Sequence, residues 1–164
     1  MTFTQEQHDR ARQLFYHHAE HQAEQFDAVM ALLPDDLGDA SVLDVGCGYG
    51  DLVGRFPATI KYTGIDLNPV AIRRAKESDP NPNHKYRVSS RIVPADYIIA
   101  VASIASEYVP PDVLLARMWR SARKAVVFTT YQGHASMGTV VGWCPQRPDV
   151  ILASGDFFAG ALYK

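Results

Sequence analysis

The stretch that decides the fold lies at residues 42–50 and reads Val42-Leu43-Asp44-Val45-Gly46-Cys47-Gly48-Tyr49-Gly50. In it, an apolar run stops at three glycines placed at every second position. Glycine adopts positive φ and lets a ligand approach the main chain where a Cβ would block it. A buried strand that feeds such a turn, followed by a helix, is typical of a nucleotide site in an α/β sheet.

A second motif follows on the next predicted strand. The apolar run at residues 62–65 ends in Asp66, which lies 66 − 44 = 22 positions after Asp44. An acid at this distance can accept hydrogen bonds from ribose hydroxyls. A glycine-rich turn alone is equally compatible with a tight turn that binds nothing, so the interpretation depends on the two motifs together.

The two motifs resemble those of one family. The pattern D-x-G-x-G-x-G at residues 44–50, with Gly64-Ile65-Asp66-Leu67-Asn68-Pro69 after it, resembles the class I S-adenosylmethionine-dependent methyltransferases. The resemblance is close over residues 41–77 and extends further only by the order of the elements. It implies an α/β fold with a single doubly wound, mostly parallel Rossmann-like sheet, and S-adenosyl-L-methionine as the cofactor.

The glycine spacing also separates two classes of cofactor. Nicotinamide-binding folds usually read G-x-G-x-x-G, with glycines that line an anionic pyrophosphate. Here the third glycine comes one position earlier and Asp44 precedes the first. A carboxylate repels a pyrophosphate but tolerates a sulfonium and an ammonium, so Asp44 fits a cationic amino-acid moiety, directly or through water. The alternative is that Asp44 caps the amides of the turn.

The resemblance implies ten cofactor-binding residues. Its glycines would let the cofactor approach the main chain, Asp66 would accept the ribose hydroxyls, and Leu67 would pack on the adenine. Ser90 stands where the family commonly has an acid that holds the adenine amino group. Ala102 and Ser103, at the end of strand four, would lie near the methionine portion or the acceptor. The full set is Asp44, Gly46, Cys47, Gly48, Gly50, Asp66, Leu67, Ser90, Ala102 and Ser103.

Candidates for a catalytic base are few. Methyl transfer from a sulfonium is an in-line displacement, so the protein supplies alignment and sometimes a base. The catalytic candidates are Tyr16, His17 and His21, because histidine titrates near neutrality and suits proton removal from an acceptor hydroxyl. His17 and His21 are also i, i+4 neighbours on a predicted helix, so a plain polar face is the alternative. No H-E-x-x-H motif or cysteine partner accompanies them, and we expect no metal.

Length and composition limit the class of protein. The chain has 164 residues, is 47% hydrophobic and carries a formal net charge of −2. These values predict one domain overall. Within it, the order of the elements and the resemblance imply an N-terminal helical cap at residues 1–40 and the S-adenosylmethionine-binding methyltransferase domain at 41–164. The two cysteines indicate reduced thiols and a cytoplasmic protein. No apolar run reaches the roughly 20 residues that cross a bilayer, so we expect no membrane association.

Helical and alternating periodicities place the remaining elements. Residues 4–33 are predicted to form one long helix, or two with a break near His17-His18. Further helices are predicted over residues 51–56 and 69–78 and in a segment that begins at residues 110–111. Predicted strands cover residues 41–45, 61–65, 86–89, 97–102 and 125–130, and an antiparallel hairpin at residues 149–153 and 157–163 closes the chain.

Two segments depart from the family pattern. Only residues 90–96 are available between strands three and four, too few for a crossover helix, so the fold is trimmed there. Residues 131–148 are rich in glycine and proline and read as a long loop instead of a helix.

The sequence carries no strong nucleic-acid signal. Tyr108-Val109-Pro110-Pro111 does not match the Asn-Pro-Pro-Tyr type of amino-methylating DNA enzymes, and residues 143–145 reverse the Pro-Cys order of cytosine-C5 enzymes. Arg117, Arg120 and Arg123 suggest a basic stripe, for which a solvated helix face is the alternative. We expect a small-molecule acceptor, such as a specialised metabolite. A non-catalytic cofactor-binding partner subunit and an RNA or protein methyltransferase stay as alternatives, and the oligomeric state is open, a dimer included.

Overall fold

The computed structural model describes residues 19–104 and 108–164. Its strands are β1 Ser41–Val45, β2 Lys61–Asp66, β3 Lys85–Val88, β4 Ala95–Ala100, β5 Ala122–Tyr131, β6 Val150–Ser154 and β7 Phe157–Tyr163. They form one sheet in the order β3-β2-β1-β4-β5-β7-β6. Strands β1 to β5 are parallel, and β7 runs antiparallel to both β5 and β6. The predicted doubly wound, mostly parallel sheet with a closing hairpin is confirmed.

Helices connect most of the strands. They are α1 Ala19–Ala31, α2 Pro69–Ser78, α3 Pro111–Ser121 and α4 Met137–Trp143, with 3-10 helices at Asp51–Arg55 and Gln132–His134. The start of α2 is fixed by its sequence: Asn68 Oδ1 accepts the N–H groups of Val70 and Ala71 at 2.9 and 3.3 Å. Pro69 occupies the first turn, where its missing N–H costs nothing.

Each face of the sheet buries its own apolar layer. Val42 of β1 enters a layer that includes Val29 of α1, whereas Leu43 enters a layer that includes Leu115 of α3. All four of these side chains are 0–1% exposed. Because β1 is buried on both faces, its apolar run is nearly continuous, as is usual for a central parallel strand. Its carboxyl end is thereby held rigidly.

A short, non-helical segment joins β3 to β4. Residues 89–94 have no regular structure, yet they pass three strand positions, from the edge strand to the far side of β1. The segment crosses three strand spacings and returns along the length of a four-residue strand, which is a straight-line distance of about 20 Å. A fully extended chain of this length reaches about 23 Å. Ile92 and Val93 pack on the apolar layer of Leu43. The predicted absence of a helix here is confirmed.

Other predicted elements are wrong or shifted. Residues 51–56 form a five-residue 3-10 helix, Asp51–Arg55, rather than an α-helix. Residues 131–148 are not one long loop, because they contain α4. Ser136 caps α4 by accepting the Thr139 N–H at 3.2 Å, and Val140 is fully buried. Burial of one apolar side chain and a good cap outweigh the low helix propensity of the two glycines.

Several boundaries also differ. β4 covers Ala95–Ala100 instead of residues 97–102, β3 begins one residue earlier than predicted, and β5 begins three residues earlier. The predicted helix over residues 4–33 is described from Ala19 onward as α1, and its earlier part lies outside the described residues. Within the described ranges, no helix has the length and apolar character that crossing a bilayer requires.

Candidate functional site

The glycine turn follows β1 directly and contains three left-handed residues. The φ angles are +75° at Gly46, +54° at Gly48 and +79° at Gly50, values that L side chains rarely adopt. The turn lies at the carboxyl end of β1, beside β2 and β4. In open α/β sheets, ligands lie in the crevice at this end, where the strand order reverses. The conformation of the turn therefore favours glycine at all three positions, of which Gly46 is exposed, Gly48 half-buried and Gly50 buried.

The N–H groups of this turn point toward the protein. Those of Gly46 and Cys47 donate to the Ile65 carbonyl oxygen at 2.8 and 3.0 Å, and that of Gly48 donates to Asp66 Oδ2 at 2.9 Å. A turn that binds phosphate would aim such donors at the ligand instead. With these donors engaged and a carboxylate beside them, the cleft suits a neutral or cationic ligand better than a pyrophosphate.

Asp66 ends β2 at the rim of the cleft. In addition to the Gly48 bond, its Oδ1 accepts the N–H of Asn68 at 2.8 Å. The side chain is half-buried, and these two bonds fix its orientation. Each carboxylate oxygen keeps a second lone pair, so the group can still accept hydrogen bonds from a diol. A ribose-binding role for Asp66 is compatible with this geometry and stays a prediction.

Asp44 lies beneath the turn, within the buried layer. It is 2% exposed, and the fully buried Tyr62 hydroxyl donates to its Oδ2 at 2.5 Å. Burial raises the pKa of Asp44 to about 7; the Tyr62 hydrogen bond opposes this shift and the nearby Asp66 charge adds to it. A cation placed in the cleft above would favour the ionised form of this carboxyl. Asp44 is thus placed to respond to the charge of a ligand.

Tyr86 of β3 supports the turn from below. Its ring would lie 2.8 Å from a Cβ added to Gly50 and 2.9 Å from one added to Gly64. Its hydroxyl donates to Asp79 Oδ2 at 2.6 Å, and His84 Nδ1 lies 2.7 Å from the same oxygen. Burial acts to raise the pKa of Asp79, but these hydrogen bonds outweigh it and the net pKa is lowered. An ionised Asp79 therefore anchors the ring.

The segment after β4 contacts the first glycine of the turn. The Ser103 hydroxyl donates to the Val45 carbonyl oxygen at 2.6 Å, and a Cβ on Gly46 would lie 2.5 Å from the Ser103 Cβ. Ala102, predicted as the last strand residue, instead lies beyond β4 with φ +53°. The structure therefore brings Ala102 and Ser103 against the glycine turn, although not as part of the strand.

The remaining cofactor candidates lie around the same crevice. Leu67 follows Asp66 and is 40% exposed, which leaves an apolar side chain accessible to a ring. Ser90 is exposed in the segment after β3. Cys47 is half-buried, and its Sγ would lie 2.8 Å from a Cβ on Gly64. Burial raises the pKa of the Cys47 thiol, so it packs under the turn as an unreactive thiol.

The catalytic candidates are only partly covered by the structure. Tyr16 and His17 lie outside the described residues, and His21 lies in the first turn of α1 with its side chain outside the described part. Their role stays a prediction. Within the described ranges, no group of three or more His, Cys, Asp or Glu residues is arranged to hold a metal ion.

Four supporting residues were not singled out from the sequence. Tyr62 and Tyr86 underlie the turn, and Gln25 and Thr129 bond to each other at 2.6 Å beneath the end of β4. For the tyrosines a signal existed in Gly64, which lies opposite Asp44 in the β1–β2 register. A glycine inside a strand marks a close approach. The Gln25–Thr129 pair joins residues 104 positions apart, so no local sequence pattern predicts it.

The sheet order, the glycine turn and the acid that ends β2 define the architecture of the class I S-adenosylmethionine-dependent methyltransferases. The family described as "methyltransferase domain" matches residues 10–154, and the chain belongs to it. S-adenosyl-L-methionine is the cofactor of this class. The exposed main chain at Gly46, the engaged turn amides and the two carboxylates fit it.

Similar proteins agree with this assignment. A magnesium-protoporphyrin O-methyltransferase of Rhodobacter capsulatus is 31% identical over 115 residues, which cover 62% of this chain and 49% of that protein. The chain thus spans about half the length of this curated relative.

Solved structures share the fold. A TehB-like SAM-dependent methyltransferase of Corynebacterium glutamicum aligns with a TM-score of 0.69 at 16% identity, over 95% of this chain and 99% of that one. A magnesium protoporphyrin IX methyltransferase of Synechocystis with bound SAM has the same TM-score at 14% identity, over 87% and 77%.

Proposed function

We propose that the protein transfers the methyl group of S-adenosyl-L-methionine to a small molecule that enters beside the carboxyl ends of β4 and β5. The observation that carries the proposal is the set of exposed apolar and aromatic side chains near these strand ends. Tyr108, after β4, is 41% exposed, and Met137, at the start of α4, is 37% exposed. Tyr131 and His134 form an edge-on ring pair with centroids 5.8 Å apart. Exposed apolar and aromatic groups favour an organic acceptor.

The basic residues support this proposal as well. Arg117 and Arg120 lie exposed on α3, but Arg123 lies on β5, where its Nη1 is 3.7 Å from Asp96 Oδ1. The stripe suggested by the sequence is therefore interrupted. A surface that follows a nucleic-acid backbone needs several unpaired basic groups in a row. The curated relative is named for a porphyrin acceptor, itself a small molecule.

In the proposed reaction the protein mainly positions the reactants. The bound cofactor supplies a methyl group already activated by the positive charge on its sulfur. Asp66 holds the ribose, Leu67 covers one face of the adenine, and the glycine turn lets the chain approach closely. Asp44 stabilises the cationic end by its ionised carboxyl. His21, His17 or Tyr16 would remove a proton where the acceptor requires it.

Two measurements test the proposal. Calorimetry with S-adenosylmethionine and S-adenosylhomocysteine should show binding in the micromolar range. Incubation with cofactor that carries a radioactive methyl group and separate panels of phenols and porphyrins, small amines, peptides and total RNA should transfer the label to a small molecule, detected as radioactivity in its chromatographic peak. Absence of binding would remove the cofactor assignment. Labelling of RNA or peptide alone would replace the acceptor class, and binding without labelling until a second protein is added would indicate a partner subunit.

A further inference from the structure

One residue at the edge of the cleft has an unfavourable backbone. Among the described residues, Ala102 is the only non-glycine with positive φ, at +53°. In this region the Cβ of an L residue crowds the following carbonyl oxygen. Strained backbone of this kind persists only where neighbouring groups hold it, and it is concentrated at functional sites. The groups that hold Ala102 are therefore informative.

Two buried side chains hold the Ala102 peptide in a directional chain. The Ala102 N–H donates to Thr129 Oγ1 at 3.0 Å, and the Thr129 hydroxyl donates to Gln25 Oε1 at 2.6 Å. Thr129 is 0% exposed and Gln25 is 1% exposed. Because Gln25 takes the hydroxyl proton, the lone pairs of Thr129 are directed to Ala102. Both side chains are enclosed by the protein, and their hydrogen-bond chain ends at the Ala102 peptide.

The conformation of Ala102 sets the position of Ser103. Ser103 donates to the Val45 carbonyl oxygen at 2.6 Å and fills the space that a Cβ on Gly46 would need. An extended Ala102 would turn Ser103 away from this contact, because the φ and ψ angles of a residue set the direction of the chain that follows it. The contact of Ser103 with the first glycine of the turn therefore depends on the left-handed conformation of Ala102.

We propose that Gln25 and Thr129 are positioning residues of the cofactor site: they hold Ala102 in the left-handed conformation, which seats Ser103 against the glycine turn. The inference rests on the proposed function, since it takes the cleft beside Gly46 to be where the cofactor binds. It also makes α1, which carries Gln25, a structural part of that cleft rather than a cover of the sheet alone.

Glycine rescue tests the proposal. Thr129→Val keeps the shape of the side chain but removes both hydrogen bonds, and we expect it to weaken S-adenosylhomocysteine binding about tenfold in calorimetry. Glycine adopts positive φ without support. The double variant Thr129→Val/Ala102→Gly should therefore bind within about twofold of the original protein. A merely structural role for Thr129 predicts no such rescue, because glycine adds no packing.

Controls keep the outcomes distinct. Thr130→Val makes the same change at the next residue of β5, whose side chain lies on the opposite face of the sheet, and its affinity should stay unchanged. If Thr129→Val does not fold, Gln25→Met with and without Ala102→Gly provides the same comparison. Unchanged affinity in Thr129→Val, or a double variant as weak as the single one, would overturn the inference. Absence of binding by the original protein would instead overturn the proposed function.

Discussion

Asp44 and Asp66 have the same side chain and stand on neighbouring strands, yet their surroundings differ. Asp66 is half-buried and receives two main-chain N–H groups, which suit an ionised carboxylate. Asp44 is 2% exposed and receives one hydroxyl. A single cleft thus combines a carboxylate held by main-chain N–H groups with a buried carboxyl whose charge depends on what binds above it.

We expect Asp44 to make the stability of the protein depend on pH. Its pKa is raised from 3.8 to about 7, so the folded state holds a proton that the unfolded state releases, and stability falls as pH rises from 4 to 7. At 1.36 kcal/mol per pKa unit the loss is about 4 kcal/mol. Asp44→Asn, which can still accept from Tyr62, should remove this loss. Urea unfolding at several pH values measures it, and parallel profiles for the two proteins would contradict it.

Asp66 should matter for the cofactor rather than for stability alone. Asp66→Ala leaves donors of the ligand and of Gly48 unpaired, and we expect cofactor binding to weaken by about 1–3 kcal/mol. Asp96→Ala is the matched control, because Asp96 also accepts two hydrogen bonds, from the Ser41 N–H and hydroxyl at 2.9 Å, but stands near the amino end of β4. Calorimetry should show full affinity in the control. Equal losses in both variants would argue against a specific role.

At the scale of elements, the sequence predicted what is encoded locally. The bounds of β1 and α2 follow from an apolar run before glycine and from a proline after an N-cap, and both agree with the structure. The helix α4 was missed because its stability comes from the burial of Val140 by distant residues. The left-handed Ala102 was missed for the same reason, since its support comes from α1 and β5. Local signals do not contain these long-range contacts.

The packing of β2 under the turn gives a prediction at this scale. Gly64→Ala would place a methyl group 2.8 Å from Cys47 Sγ and 2.9 Å from the Tyr86 ring. Because Tyr86 is fixed by Asp79, the ring cannot yield freely, and we expect a loss of about 1–3 kcal/mol in unfolding free energy.

Gly54→Ala is the control for that substitution. A Cβ on Gly54 meets no atom within 4 Å, so its effect should be near zero or a gain of about 0.4–1 kcal/mol from reduced freedom of the unfolded chain. Thermal or urea unfolding of the two variants measures the difference. Similar stabilities would show that the Tyr86 ring moves aside and does not hold the turn rigidly.

At the scale of the whole molecule, the sheet is complete although one of its connections is short. Six extended residues replace a helix between β3 and β4, and the face they cross is closed by Ile92 and Val93. The glycine turn after β1, the acid that ends β2 and the segment after β4 lie together at the carboxyl ends of the central strands. The short connection thus leaves the order of the parallel strands and an apolar layer on each face of the sheet in place.

This distribution predicts how cofactor binding changes the stability of the molecule. A ligand at one hundred times its Kd stabilises the folded state by about 2.7 kcal/mol, and for a chain of this size that raises Tm by about 5–10 °C. Because the proposed cofactor site lies at the ends of β1, β2 and β4, amide hydrogen exchange should slow most in the glycine turn and around Ala102. The β6–β7 hairpin, at the far edge, should change only as far as global unfolding controls its exchange.

Differential scanning calorimetry and exchange mass spectrometry with S-adenosylhomocysteine measure both effects. Protection confined to the hairpin, or a Tm shift that Asp66→Ala leaves unchanged, would place the ligand elsewhere on the molecule.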